Sequence, residues 1–582
     1  MTTEVDQVSP PEVPEAPEAT ARRTDRGRII IAILALGWLA GVLWRLWLGS
    51  PITHPIAHAD EDSYMNAARA IAGGPEGFSS ETPLFRRIGY PLLVSPAFLF
   101  GLDFATSYKI VHVVNAAISA LTLPLAYLLG RRMFGLNRAV ALAAAFVAGT
   151  VPAGVFWSLV GMTDSVMAPL MLGWFLAVHW WVGAPERKAP AISVGVLTGL
   201  LYLVHIRGTI LVIVYFAFLA FMLIRTRVGR PGAGLSLVPL MLAVLVNQVV
   251  IMLIGDRVHL RGDIVGGGTM AVFTEIQRLQ VFVASFGTNV WYMCVVTGGL
   301  AGLAWVATTV EMFRPARDAA YRWTAGLALF STIGVGLGAA VVLAGLVDTQ
   351  ADAIYSRYVQ VFVPFWLLFG FAVLAGQRLR TLARYAVVPV LLLVAGGLVI
   401  AYRLRYVAEQ GHTLSYGMFG GPDVITITAG WTGFRPYVGT AVGLAALTVL
   451  LAATRVRRLV IPVMAVVVGA NLVTMTVMRD RLIEPIGQRF TMPVDLGEIG
   501  VGPDDTVAFT RRIANEAYYV FYHDVYWTEF KPVGEDDVPP PDIEVMIGRY
   551  YPGQKIDWDG AAHGFTLLEA SEEKRIAVWR RN

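Results

Sequence analysis

The sequence predicts a polytopic α-helical membrane protein of about thirteen transmembrane helices, with a small C-terminal α/β domain outside the membrane. Three observations carry this expectation. Hydrophobic residues make up 56% of the 582-residue chain and charged residues only 15%, against about 25% charged in soluble domains. Apolar runs of about 20 residues, the length that crosses a bilayer, recur with clear breaks through the first four-fifths of the chain. Beyond about residue 480 charges become dense and the apolar runs shorten.

Composition also excludes several classes. A single cysteine, Cys294, allows no internal disulfide and no cysteine-based metal site. The net charge of +4 is not gathered into a basic stretch interleaved with aromatics, so nucleic acid is not an expected partner. The signatures of phosphate-binding loops, zinc peptidases and serine hydrolases are absent.

Residues 1–28, rich in Pro, Glu, Thr and Arg, have no apolar periodicity and read as a disordered cytoplasmic tail. The transmembrane part covers 29–479. Its spans fall near 29–48, 107–130, 139–157, 164–183, 190–206, 208–225, 236–255, 282–308, 323–346, 358–377, 384–402, 437–453 and 459–478. The first run starts too far in for a cleaved signal peptide and reads as an uncleaved anchor. Arg22, Arg23, Arg26 and Arg28 before it belong in the cytoplasm. Every second loop is then short and basic, from Arg131, Arg132 and Arg138 to Arg455, Arg457 and Arg458, as the positive-inside rule requires. An odd number of spans places 480–582 outside. There Thr506–Phe509, Ile543–Ile547 and Arg575–Trp579 read as strands, and Ile513–Tyr526 as an aromatic-rich helix.

Two outer loops are long. Loop 49–106 contains Asp60-Glu61-Asp62-Ser63-Tyr64 and a helical stretch to Ala72 suited to lying on the membrane surface. Loop 256–281, with Gly266-Gly267-Gly268, reads as mobile.

A charge at mid-span costs roughly 2.5–3.5 kcal/mol on insertion scales, a cost that transporters accept along their pathways. Here the ionisable residues gather at one side, at span ends, and the main mid-span polar pair, Asn247-Gln248, is neutral. This distribution favours an enzyme at the outer interface over a through-membrane route. Asp60, Glu61 and Asp62 follow the first span, Asp164 begins the fourth, Arg207 lies between the fifth and sixth, and Arg357 precedes the tenth. Carboxylates take a proton from an acceptor hydroxyl. Arginines bind phosphate bidentately without losing their charge. Together they suit an alcohol nucleophile and a lipid-phosphate leaving group.

Plainer readings stand beside this one. An acidic trio alone is ordinarily the solvated lip of a helix, with Glu61 facing solvent. Outer arginines, Arg86 and Arg87 included, also suit headgroup contact. Tyr64, Tyr90 and most of the fifteen tryptophans suit an interfacial belt. His205 can simply pair with a neighbour at its turn. For Tyr518–Tyr522, core packing ranks ahead of stacking on sugar rings. His54, His58 and two nearby aspartates match a divalent-cation pattern. Arginines neutralise a leaving phosphate equally well, so no metal ligand is assigned and Mg or Mn stays an alternative.

Five segments, in this order and spacing, resemble the GT-C superfamily of polytopic glycosyltransferases. They are Asp60-Glu61-Asp62-Ser63-Tyr64 with Ala67 and Ala68, Arg87-Ile88-Gly89-Tyr90-Pro91-Leu92, Leu128 to Gly135, Pro152 to Asp164, and Arg357-Tyr358 with Pro364. The similarity spans roughly 29–370 and is nearest to bacterial relatives of protein O-mannosyltransferases and the lipid A aminoarabinose transferase. It implies a sugar donor carried on polyprenyl phosphate and transfer on the outer face of the cytoplasmic membrane, usually with inversion. The acceptor would be a hydroxyl of a cell-envelope glycan, lipid or protein. By position, Asp60 matches the first acid, the candidate general base, with Asp62 as the one-residue alternative. Asp164 matches the second acid, expected to position acceptor or sugar. Arg207 and Arg357 match donor-phosphate contacts, with Arg87 beside them. Glu61, Tyr64, His205 and Tyr358 are the further candidates for the substrate cavity. The rival functions are a transporter or flippase of a lipid-linked saccharide, and a scaffold whose outer domain binds cell-envelope polymer.

Overall fold

A computed structural model of the chain describes residues 17–58, 60–74, 87–225, 230–255, 268–314, 318–345, 354–409, 420–429, 434–511, 513, 515–528, 532–534, 537–551 and 558–582. Its elements begin with α1 (Pro17–Gly49), followed by two short outer-loop helices, α2 (Asp60–Ile71) and α3 (Gly89–Val94). Next come α4 (Phe104–Ala120), α5 (Thr122–Arg132), α6 (Arg138–Gly149), α7 (Pro152–Phe156), α8 (Asp164–Gly183), α9 (Lys188–Val204), α10 (Arg207–Arg225) and α11 (Arg230–Ile254). After α12 (Gly268–Thr274) follow α13 (Ile276–Val296), α14 (Leu300–Met312), α15 (Ala319–Gly345), α16 (Val363–Gly376) and α17 (Leu379–Glu409). The short α18 (Pro422–Ala429) precedes α19 (Pro436–Ala453), α20 (Val460–Met478) and α21 (Glu484–Arg489). The C-terminal region holds α22 (Asn515–Asp524) and five strands.

Among the described residues ten helices are long and apolar enough to cross a membrane. An eleventh span forms if the pair Arg138–Gly149 and Pro152–Leu159, bent by 56°, is one crossing. Three shorter apolar helices, Lys188–Val204, Leu300–Met312 and Gln360–Gly376, complete the bundle. The protein is therefore the predicted polytopic helical membrane protein, with three local differences. The run at 282–308 is not one helix: α13 ends and α14 begins across Thr297–Gly299. Gly298 and Gly299 adopt φ of 55° and 78°, and their N–H groups donate to Val295 and Cys294 carbonyls at 3.0 and 2.7 Å. This is a glycine-terminated helix end. The last helical run continues through Arg489, so the expected boundary at 480 falls inside it. Residues 17–28, expected in the disordered tail, form the start of α1; residues 1–16, Arg86 and residues 256–267 of the glycine-rich loop lie outside the described residues.

Five tryptophans depart from the expected belt, while Trp47 and Trp180 are exposed as a belt requires. Trp157, Trp174, Trp181, Trp291 and Trp366 are fully buried. Three of them tie helices together: Trp174 donates to Thr198 at 2.9 Å, Trp366 to Thr332 at 2.9 Å and Trp291 to Thr440 at 3.0 Å. Where backbone polar groups are spent within helices, side-chain hydrogen bonds and close packing hold spans together. The outward faces are apolar in their place, as at Ile213, Met241, Leu245 and Val466.

α2 departs from the surface helix expected of it. Every residue from Glu61 to Ala70 is buried, because the bundle covers one side and the C-terminal region the other. Tyr64 and Tyr90 are buried too, with their rings edge to face at 5.3 Å, so neither is an interfacial anchor.

The strands are β1 (Val507–Thr510), β2 (Pro532–Val533), β3 (Val545–Arg549), β4 (Phe565–Ser571) and β5 (Ile576–Arg581), in sheet order β2-β1-β3-β5-β4. β1 pairs in parallel with β2 and β3, whereas β5 is antiparallel to β3 and β4. Side chains alternate across the sheet. Val507, Phe509, Val545, Ile547, Ile576 and Val578 pack with Ala517 and Phe521 of α22. Ala508, Met546, Ala577 and Trp579 pack on the other face with Trp558 and Phe565. α22 is thus fixed on the sheet by one face, leaving the other for the bundle.

The break between α13 and α14 gives a direct test. At Gly299 an added Cβ would lie 3.0 Å from Leu447 on a left-handed backbone. Gly299→Ala is expected to cost about 1–2 kcal/mol from the backbone alone and to lower the unfolding midpoint in detergent. An unchanged midpoint would remove the constraint.

Candidate active site

Consecutive residues of an α-helix point about 100° apart, so the acidic trio on the first turn of α2 is split three ways. Asp60 turns toward Arg357, whose Nη1 donates to Oδ2 at 2.6 Å. Glu61 turns into the bundle. Asp62 turns toward α22.

Around Asp60 four charges form one connected group. Asp164, the first residue of α8, accepts from Arg207 Nη2 on Oδ1 at 2.7 Å and from Arg357 Nε on Oδ2 at 2.9 Å. Its side chain is 0% exposed, those of Arg207 and Arg357 4% and 2%, but that of Asp60 is 28% exposed. A carboxylate at a helix N-terminus is favoured by the helix dipole, whereas Arg207 at the start of α10 works against it. Asp164 offsets that cost. Each of its two oxygens accepts from a guanidinium group, so the carboxylate bridges the two arginines.

Further contacts fix both arginines. His205 Nδ1 accepts from the Arg207 backbone N–H at 3.0 Å and from its Nε–H at 3.1 Å, so this nitrogen carries no proton. Arg207 Nη1 also donates to the Tyr358 carbonyl at 3.4 Å, and its guanidinium lies 4.8 Å from the Tyr358 ring centroid. The Arg357 guanidinium lies 5.2 Å from the Trp157 ring. Such cation–π contacts replace some of the hydration lost on burial. Arg87 stands beside the start of α10, where its Nη2 donates to Thr209 at 2.7 Å and its guanidinium covers Tyr202 at 4.0 Å.

Glu61 does not face solvent; it is fully buried. It accepts from the Ile56 and Ala57 backbone N–H groups, both at 3.0 Å, and from Gly161 N–H and the Tyr108 hydroxyl. Burial pushes its carboxyl up to about 8, against the pull of the backbone donors. These bonds tie the outer loop to α4 and to the segment before α8, and they take up the carboxyl that the resemblance expected in the substrate cavity.

Asp62 also stands apart from the arginines. Its Oδ1 lies 2.7 Å from His523 Nε2 and its Oδ2 3.4 Å from His58 Nδ1. Burial would raise its carboxyl, but the hydrogen bonds from His523 and His58 outweigh this and hold it well below the usual carboxylate range. Burial pushes the His523 imidazole down to about 4, with the Asp62 bond opposing. At neutral pH the pair is a carboxylate accepting from a neutral Nε2–H. Two residues along the helix from Asp60, Asp62 is turned some 200° away, toward α22 and not toward the arginines.

His54 is similarly committed, 2.7 Å from Asp524. The divalent-cation pattern is thus divided between two imidazole–carboxylate pairs. Among the described residues no three His, Cys, Asp or Glu side chains are placed to hold a metal ion. Asn247, the mid-span amide, is buried, and its Oδ1 accepts from Ile88 N–H at 3.2 Å, at the entry to α3.

Sequence reasoning brought Asp60, Asp164, Arg207 and Arg357 together correctly. It did not single out Tyr108, His523 or Asp524, and it read Tyr522 as core, whereas its hydroxyl also meets Asn66. The adjacent His523-Asp524 at the end of an aromatic helix was a usable signal, since both are ionisable on a helix otherwise rich in tyrosine.

The buried and exposed acids should behave differently. Removing one member of a buried charge group costs about 3–5 kcal/mol, so Asp164→Ala is expected to lower folding stability in detergent sharply. Asp60→Ala, at a partly exposed pair, should cost below about 1 kcal/mol. Equal costs would contradict this division.

No family model matches the chain, and no curated protein sequence does. Among solved structures it is similar to ArnT from Cupriavidus metallidurans bound to undecaprenyl phosphate, at 15% identity and a TM-score of 0.50. That match covers 96% of this chain and 98% of that one. ArnT from the same organism in the apo state matches over the same shares at 14% identity and a TM-score of 0.49. Over nearly its whole length, the chain shares the fold of the first of these ArnT structures.

Proposed function

We propose that the protein is a membrane glycosyltransferase that moves a sugar from a polyprenyl-phosphate carrier to a hydroxyl acceptor. The observation that carries this reading is a partly exposed carboxylate, Asp60, paired to a buried arginine that shares a second carboxylate with another arginine. The ArnT structure with undecaprenyl phosphate supports the carrier class, because the two folds agree along almost the full chain.

In this reaction Asp60 accepts the proton of the acceptor hydroxyl on the oxygen not held by Arg357. The acceptor oxygen bonds to the anomeric carbon as the bond from that carbon to the phosphate oxygen breaks. The electron pair leaves with the phosphate, and a single displacement inverts the anomeric centre. Arg357 and Arg207 stabilise the charge that grows on the departing phosphate, and Arg87 adds a third cation at that edge. Asp164 keeps the first two aligned. Tyr358 backs Arg207, and His205 fixes its Nε.

The distribution of basic loops supports a cytoplasmic N-terminus and an extracytoplasmic C-terminal domain, with the reaction on the outer face of the cytoplasmic membrane. A domain division near the end of the last span fits this placement. A through-membrane route for a flippase finds no support at Asn247, whose side chain accepts from the Ile88 backbone N–H just before α3.

The test is transfer from a labelled polyprenyl-phosphate sugar by the full chain in vesicles. Asp60→Asn should lower kcat by about 10²–10⁴ while donor binding persists. Arg207→Gln and Arg357→Gln should weaken donor binding. Normal turnover by folded Asp60→Asn, or sugar crossing the membrane without a new glycosidic bond, would overturn the proposal.

A further inference from the structure

The outer face of α22 meets α2 in a matched pattern of side chains. On α2, Asp62, Asn66 and Arg69 are spaced by four and three residues and so share one helix face. Opposite them are Tyr522, His523 and, just past the helix end, Tyr526. His523 lies 2.7 Å from Asp62. Asn66 donates to the Tyr522 hydroxyl, and the Arg69 guanidinium stands 4.5 Å from the Tyr526 ring. The loop before α2 joins in: His54 pairs with Asp524 at 2.7 Å, and His58 stacks on Tyr519 at 3.7 Å between ring centres. The His523 ring also stacks on Phe104 of α4 at 4.4 Å.

Simple adhesion between two parts of a protein would use apolar surface. Here the contact is polar, buried and directional, and buried polar networks fix geometry more than they add stability. What they fix is the first turn of α2, which carries Asp60. We infer that His523 is a positioning residue: with Tyr522 and Asp524 it holds α2 so that Asp60 meets Arg357 in register. The C-terminal region is then a working part of the reaction centre. A base displaced by about 1 Å can lose about a hundredfold in rate, so a modest loosening of α2 is enough to register.

This inference rests on the proposed glycosyl transfer for its kinetic readout, but it also makes a structural claim that is measured separately. Two variants of the full chain in nanodiscs separate the contributions. His523→Phe keeps the stack on Phe104 and loses the donor to Asp62. His523→Gln keeps a donor near the position of Nε2. Amide hydrogen exchange of residues 60–66 reads the state of α2, and transfer from a labelled polyprenyl-phosphate sugar reads the reaction.

His523→Phe is expected to raise exchange across α2 and to lower kcat by about tenfold or more, with the donor KM within about twofold of the unmodified chain. His523→Gln should restore most of both. Unchanged α2 exchange in His523→Phe overturns the inference. So does a raised KM with kcat intact, which would make the C-terminal region a substrate-binding element instead. If His523→Phe fails to fold, Tyr522→Phe, which removes the acceptor of Asn66, carries the same two readouts. If the unmodified chain transfers no sugar, the proposed function fails, and the exchange measurement still decides whether α22 holds α2.

The same contact responds to pH. The groups facing His523 are Asp62 and Arg69 from α2 and His54 from the preceding loop, with His58 and Asp524 beside them. A histidine held at about 4 inside the contact and about 6.5 when free contributes fully above about pH 6.5 and loses that contribution as pH falls toward 4. Protection of α2 should decline over that window, and less so in His523→Gln. A decline of the same size in both would assign the effect to the other histidines.

Discussion

The bridging carboxylate of Asp164 is the constraint on which the rest of the site depends. Two buried guanidinium groups cannot sit side by side in a membrane protein without a counter-charge, since each loses its hydration and repels the other. Asp164 supplies that counter-charge at the N-terminus of α8 and binds both. Through Arg207 it fixes the start of α10, through Arg357 the turn before α16, and through Arg357 again the outer loop at Asp60. Elements almost two hundred residues apart in sequence converge on one carboxylate.

The acidic trio shows how a helix divides labour among neighbours. Because each successive residue rotates by about 100°, one short motif serves three directions. Asp60 meets the cations, Glu61 ties the loop to α4 and to the chain before α8, and Asp62 meets α22. Solvent takes almost no part, since α2 is enclosed by the bundle and the C-terminal region. Each acid of the trio, which looks extravagant for a membrane loop, has specific hydrogen-bond partners, and Asp60 meets a cation.

Much of this was legible from sequence, and the limits have physical causes. Long apolar runs announce spans because length and hydrophobicity alone suffice, and Asp164, Arg207 and Arg357 stood out as charges at span ends. The break at Gly298-Gly299 was hidden because glycine is ordinary inside transmembrane helices; only its left-handed backbone distinguishes it. The strands β1, β3 and β5 were found because β-branched and aromatic residues fill them. β2, with two residues, and the largely exposed β4 carry too little pattern. The pairing of Asp62 with His523 was out of reach. It joins residues 461 apart, and periodicity carries no information about such contacts. Glu61 was misread because an acid in a loop resembles a solvated one until its backbone donors are seen.

Arg357 holds Asp60 by one nitrogen and Asp164 by another. In the proposed reaction the same guanidinium must turn part of its charge to an arriving phosphate, and its hold on Asp60 weakens as it does so. Proton acceptor and anion thus compete for a single cation. In the proposed chemistry this gives an order of addition: the lipid-borne phosphate seats against Arg357 first, and the alcohol follows at the Asp60 oxygen that Arg357 leaves open.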